Sequence, residues 1–90
     1  MDDIKRQQII QENMEKAEQT LEKIAAGHKI DKVWIAREGV YQPYVFSFFI
    51  DGGEAQTIIF SYRIMADGRP QNNSHYIENC VREKLKSIGF

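Results

Sequence analysis

The sequence is short of the residues on which most small-protein chemistry depends. Its 90 residues hold one cysteine, two histidines, two prolines and one tryptophan. Cys80 has no internal partner for a disulfide, which excludes a disulfide-stapled scaffold and predicts a reducing, cytoplasmic setting. A three- or four-ligand site would have to draw on His28, His75, Cys80 and assorted carboxylates, and spacing joins these only in pairs, such as His28 with Asp31 in a turn, so no metal is expected. His75 and Glu78, spaced to share one helix face, supply only a pair of ligands. Charge of one sign is also missing, since 12 Lys and Arg stand against 13 Asp and Glu. That balance provides no global field toward phosphate backbones or anionic lipid. The longest apolar stretch, Val45 to Ile50, is interrupted by Ser47 and falls far short of the roughly 20 residues of a membrane-crossing helix. The start, Met1-Asp2-Asp3-Ile4-Lys5-Arg6, lacks the basic-then-apolar order of a secretory signal.

What is present describes a folded chain. Apolar residues make up 42% and charged residues 28% of the sequence, outside the regime of disorder. A chain of this length buries only roughly 60 to 65% of its extended surface, which predicts one domain over residues 1–90.

The pattern of apolar residues predicts the element order. Ile10, Met14, Ala17, Leu21 and Ile24 recur at spacings of four and three, so at about 100° per residue they form one stripe on a helix from Asp2 to Ala26. Gly27 lies where a helix end favours a positive φ. The stripe does not extend into residues 1–8, which predicts a frayed or overhanging start. From Lys32 the period changes to two. Strands are predicted at Lys32–Arg37, Tyr41–Ile50 and Glu54–Ile64, with a turn at Glu38-Gly39. After the turn formers from Ala66 to Asn73, a second helix capped by Asn73 or Ser74 carries Ile77, Val81, Leu85 and Ile88 on one stripe and ends at Gly89.

The register of the central hairpin follows from burial. Phe46, Phe48 and Ile50 share a strand face, as do Ile58, Phe60 and Ile64, and all are even-numbered. Directly paired residues share a face, so an odd number of loop residues is required. The predicted loop is Asp51-Gly52-Gly53, with Gly53 in the left-handed conformation of a G1-type bulge, and a loop of residues 52–54 is the close alternative. The expected fold class is α+β in the order α-β-β-β-α, a three-stranded antiparallel meander with both helices packed on one face.

Chemistry finds little purchase in this arrangement. His75 and Cys80 point roughly 140° apart on a helix and cannot act as base and nucleophile. Gly52-Gly53 joins two strands rather than opening a helix, so it is no phosphate loop. No catalytic residue and no cofactor is assigned.

The element order resembles that of the double-stranded RNA-binding domain, and Gln42-Pro43-Tyr44-Val45-Phe46 is similar to the loop before that family's second strand. The resemblance implies a surface gripping phosphates with lysines at the start of the second helix. Here that segment, Asn72-Asn73-Ser74-His75-Tyr76, has neither lysine nor arginine, and nucleic acid is not an expected partner.

The odd-numbered face of the sheet is where contact is expected. Val45, Phe49, Ile59 and Arg63 are the candidate partner-binding residues, with Ser47, Thr57 and either Trp34 or Ile35 beside them. A half-apolar open face predicts a non-catalytic protein-binding or regulatory module, of inhibitor or immunity type, or a homodimer. The competing readings are a small-ligand binder or enzyme with a pocket between sheet and helices around Tyr44 and Tyr62, and a weak nucleic-acid binder.

Overall fold

The computed structural model describes residues 3–36, 39, 41–67 and 70–90, the side chains of residues 3 and 70–74 excepted. Its elements in chain order are α1 (Asp3–Ile24), β1 (Ile30–Ala36), β2 (Tyr44–Ile50), β3 (Gln56–Phe60), α2 (Tyr62–Met65) and α3 (Pro70–Ser87). The three strands form one antiparallel sheet in the order β1-β2-β3. The two long helices pack on it, giving the expected α+β fold with one added helical turn.

The core lies between the sheet and the helices, and the two periodicities of the sequence build it. From α1 come Ile10, Ala17 and Leu21, with Ala25 just past its end, and from α3 come Ile77, Val81 and Leu85. Beneath them the even-numbered side chains Phe46, Phe48, Ile58 and Phe60 fill the inner sheet face. Met14, Ile24, Ile50, Ile64 and Ile88 are half-buried around this centre. Trp34 also turns inward, stacking on Phe46 with ring centroids 4.4 Å apart. Of the two sequence candidates for the outer face of β1, therefore, only Ile35 is placed there.

Polar contacts fix how the layers sit. Lys32, at the edge of the sheet, reaches Glu22 and Glu18 of α1, and the hydrogen bond with Glu22 is the main reason its pKa lies above the ordinary lysine value. Asn13 Nδ2 donates to the Met65 carbonyl at 2.7 Å, tying α1 to the short α2. At the far end of α3, Gly89 has a φ of 102° and the Phe90 N–H donates to the Leu85 carbonyl at 2.9 Å. With Gly89 N–H donating to Lys86 O, this is a Schellman closure of the helix.

The hairpin obeys the parity rule by a different device from the one expected. Phe46 pairs with Ile58 and Phe48 with Gln56, so even faces even. The left-handed residues are Asp51 (φ 54°) and Gly52 (φ 72°), not Gly53. Gly53 N–H donates to the Ile50 carbonyl at 3.0 Å, closing a type I′ turn around the Asp-Gly pair that favours it. A two-residue turn alone would pair even with odd, so one extra residue is absorbed among Gly53, Glu54 and Ala55, before β3 begins.

Other boundaries also differ from those expected. β1 begins at Ile30, paired with Ile50, and ends at Ala36; Arg37 and Glu38 lie outside the described residues. β2 begins at Tyr44 because Pro43 has no N–H for the ladder. β3 stops at Phe60 rather than Ile64, since the Ser61 hydroxyl accepts from Ile64 N–H at 3.3 Å and caps α2 instead. α3 begins at Pro70, earlier than Asn73, consistent with the tolerance of the first helical position for proline. Asp2, Gly68 and Arg69 lie outside the described residues. The early part of α1 is helical from Asp3, with Ile4, Lys5, Gln7 and Gln8 exposed.

Candidate functional site

The outer face of the sheet is formed by the odd-numbered residues that the alternation turns away from the helices. Its rows are read from the register. Ile35 pairs with Val45 and Val45 with Ile59, which lays one aliphatic row across all three strands. The next row is Val33, Ser47 and Thr57, in which the two hydroxyls lie 3.2 Å apart. The third pairs Asp31 with Phe49.

Exposure is concentrated at the two sides of this surface. Ile59 is 67%, Ile35 50% and Val33 47% exposed, while Val45 and Phe49 on the central strand are half-buried by their neighbours. Strands about 4.8 Å apart, two of them about 23 Å and β3 about 17 Å long, give a face of roughly 300 Å², within the size of the largest apolar patches on monomers. Among its described residues the only ionic side chain projecting from the strands is Asp31, at one corner.

Of the residues singled out from sequence, Val45, Phe49 and Ile59 are brought together here, and Arg63 is not. It is exposed on α2, past the end of β3, because the chain turns at Ser61. Val33 was missed, although its odd number on the same strand as Ile35 carried the signal.

Other titratable groups are engaged or isolated. Asp51 Oδ2 lies 2.7 Å from His28 Nδ1 and Oδ1 accepts from Lys29 N–H at 3.0 Å. The His28 contact above all holds the Asp51 carboxyl below the ordinary carboxylate range. His28 also packs edge-on against Phe90, with centroids 5.0 Å apart. Burial raises the Tyr44 phenol, with Tyr62 adding to it. Cys80 is half-buried and hydrogen-bonds Tyr76, raising the Tyr76 phenol; His75 is exposed. No group of three or more His, Cys, Asp or Glu side chains that could hold a metal occurs among the described residues.

The space between sheet and helices is filled by Phe46, Phe48, Phe60, Leu21, Ile77 and Leu85, each at most 1% exposed. Around these side chains the two layers are closed to solvent. Recesses occur at the surface instead: one between α1 and α3 and one beside the hairpin tip, lined by Ile50, Glu54, Ile88 and Phe90.

No helix of the described chain is long and apolar enough to cross a membrane. No protein-family model, curated protein or solved structure matches the chain.

Proposed function

We propose that this chain is a non-catalytic binding module acting through the open face of its sheet, and that the occupant of that face is a second copy of the chain. The observation that carries the reading is the aliphatic row Ile35–Val45–Ile59, which runs from edge to edge of a face that neither helix covers. A second copy offers a face of equal size and the same apolar character. Two such sheets stack about 10 Å apart, and the lone corner carboxylate, Asp31, stays clear of the centre.

Magnitude sets the strength of the association. Full burial of an aliphatic side chain is worth about 1.5 to 3 kcal/mol, so covering the exposed parts of Val33, Ile35 and Ile59 on both copies yields roughly 5 to 10 kcal/mol. Lost translational and rotational freedom opposes this with about 4 kcal/mol or more. The surplus of at most about 6 kcal/mol corresponds to a dimer with Kd no tighter than about 40 µM. A patch of about 300 Å² per copy, against the roughly 800 Å² of a stable interface, points the same way. Such a dimer forms and dissociates with concentration, as a regulatory module requires. The unpaired Cys80 supports a reducing, cytoplasmic compartment.

Sedimentation equilibrium from about 10 µM to 2 mM tests the reading, since that range runs from below the tightest expected Kd to well above it. The chain should shift from monomer to dimer, and the Ile35→Lys/Ile59→Lys double variant should remain monomeric with an unchanged far-UV spectrum. A parent chain that is monomeric throughout would refute the proposal. So would a dimer that survives both substitutions, because association would then run through a strand edge.

A further inference from the structure

The groove between α1 and α3, on the side of the helices away from the sheet seam, gathers charge of one sign in a chain that is nearly neutral. Lys16, Gln19, Thr20 and Lys23 are spaced at three, one and three along α1 and share one flank of it. Glu78 and Arg82, four apart on α3, face them across a groove of about 200 Å³. Three cations therefore meet one carboxylate. Lys16 Nζ lies 3.6 Å from Glu78 Oε1, while Lys23 and Arg82 have no carboxylate partner among the described residues. The floor is Thr20, 6% exposed, whose hydroxyl donates to the Lys16 carbonyl at 2.8 Å. Gln19 adds an amide with two N–H donors.

We infer that this groove binds a phosphate dianion, free or as the phosphoryl group of a small monoester. The lining carries two positive charges in excess, against a net charge of −1 for the whole chain, and an oxyanion with two negative charges neutralises that excess. Size agrees with charge. The volume equals roughly six or seven waters, room for a five-atom oxyanion with part of its hydration. It lies below the roughly 300 Å³ at which pockets for drug-sized ligands begin, so a nucleotide base has no place beside the phosphate. Arg82 offers a planar fork for two phosphate oxygens and Lys23 a mobile point charge opposite it. Glu78 restrains the site at rest by occupying Lys16, so its removal should strengthen binding. The groove faces away from the open sheet face, and the anion site is independent of association there.

Amide shifts in a ¹⁵N-labelled chain, followed in phosphate-free buffer at neutral pH, test the assignment. Inorganic phosphate and glycerol 3-phosphate are titrated in separate arms, which distinguishes the free ion from the ester. The expected result is saturable movement confined to residues 16–23 and 78–82 with at least one probe. Lys23→Gln with Arg82→Gln should weaken binding by roughly tenfold or more, as loss of two charge-assisted contacts implies, with an unchanged Tm in the absence of phosphate. Glu78→Gln should tighten it severalfold. Shifts that do not saturate, binding unaltered in the double variant, or weaker binding in Glu78→Gln would each overturn the inference. Displacement of phosphate by duplex RNA would also overturn it, by assigning the groove to a nucleic-acid backbone.

Discussion

Trp34 provides a sharp test of the packing argument, because its ring and its nitrogen pull in opposite directions. The indole stacks on Phe46 at 4.4 Å with planes inclined by 17°, and tilts against Phe60 at 6.0 Å. Its Nε1 is buried and has no hydrogen-bond partner among the described residues. A buried donor left in that state costs about 1 to 3 kcal/mol. Trp34→Phe removes the donor and keeps a stacked ring, at the expense of two ring carbons worth about 1.6 kcal/mol at about 0.8 kcal/mol each. The two effects offset, so the variant should lie within about 1.5 kcal/mol of the parent. Trp34→Ala loses the stack as well and should cost about 2 kcal/mol, the usual truncation cost of about 3 to 5 kcal/mol reduced by about 1 to 3 for relief of the donor. Urea unfolding followed by far-UV circular dichroism reads both, since each variant lacks the only tryptophan. A cost above about 2.5 kcal/mol for Trp34→Phe would refute the reasoning by showing that Nε1 is satisfied.

Three further outcomes are expected. The depressed Asp51 carboxyl contributes stability above the ordinary carboxylate pKa that is lost as pH falls through the lower folded value; Asp51→Asn should abolish this acid-side loss in a series of melts from about pH 2 to 6. The raised Tyr44 phenol contributes stability below the ordinary tyrosine value that disappears as pH climbs above about 10, and Tyr44→Phe should flatten that alkaline limb in the same assay. Gly52→Ala meets open space but a φ of 72°, so it should cost about 1 to 2 kcal/mol in urea unfolding, with Gly52→Asn recovering most of the loss.

The hairpin faces were legible because alternation is a strict period of two: once Phe46 and Phe48 were inward, Ile58 and Phe60 had to follow. The helical stripes were legible for the same kind of reason. The segment from Ser61 to Ile64 was not. Its alternation suits a strand, and only the side chain of Ser61, accepting from Ile64 N–H, turns the chain into α2. Met65 consequently enters the core fully buried, although it reads as the start of a loop. Arg63 left the candidate face through the same turn. Trp34 was undecided because a short strand beginning at an uncertain residue gives no parity until its partner is known, and the pairing of Trp34 with Phe46 supplies it. The α1–α3 groove was invisible because no local pattern brings Lys23 and Arg82 together; that depends on how the two helices cross.

The tip between β2 and β3 carries slack. Its tight turn closes at Ile50 and Gly53, while the ladder resumes at Phe48 and Gln56 with one residue more on the returning limb than the count demands. A chain shortened by one between Gly53 and Ala55 would keep Gln56 opposite Phe48, with Phe46, Phe48 and Phe60 still facing inward. The same deletion inside Gln56–Phe60 would turn Phe60 out to water. Length variation at this hairpin is therefore tolerated on one side of a sharp boundary and ruinous on the other, which marks the returning limb as the natural place to graft a label or loop.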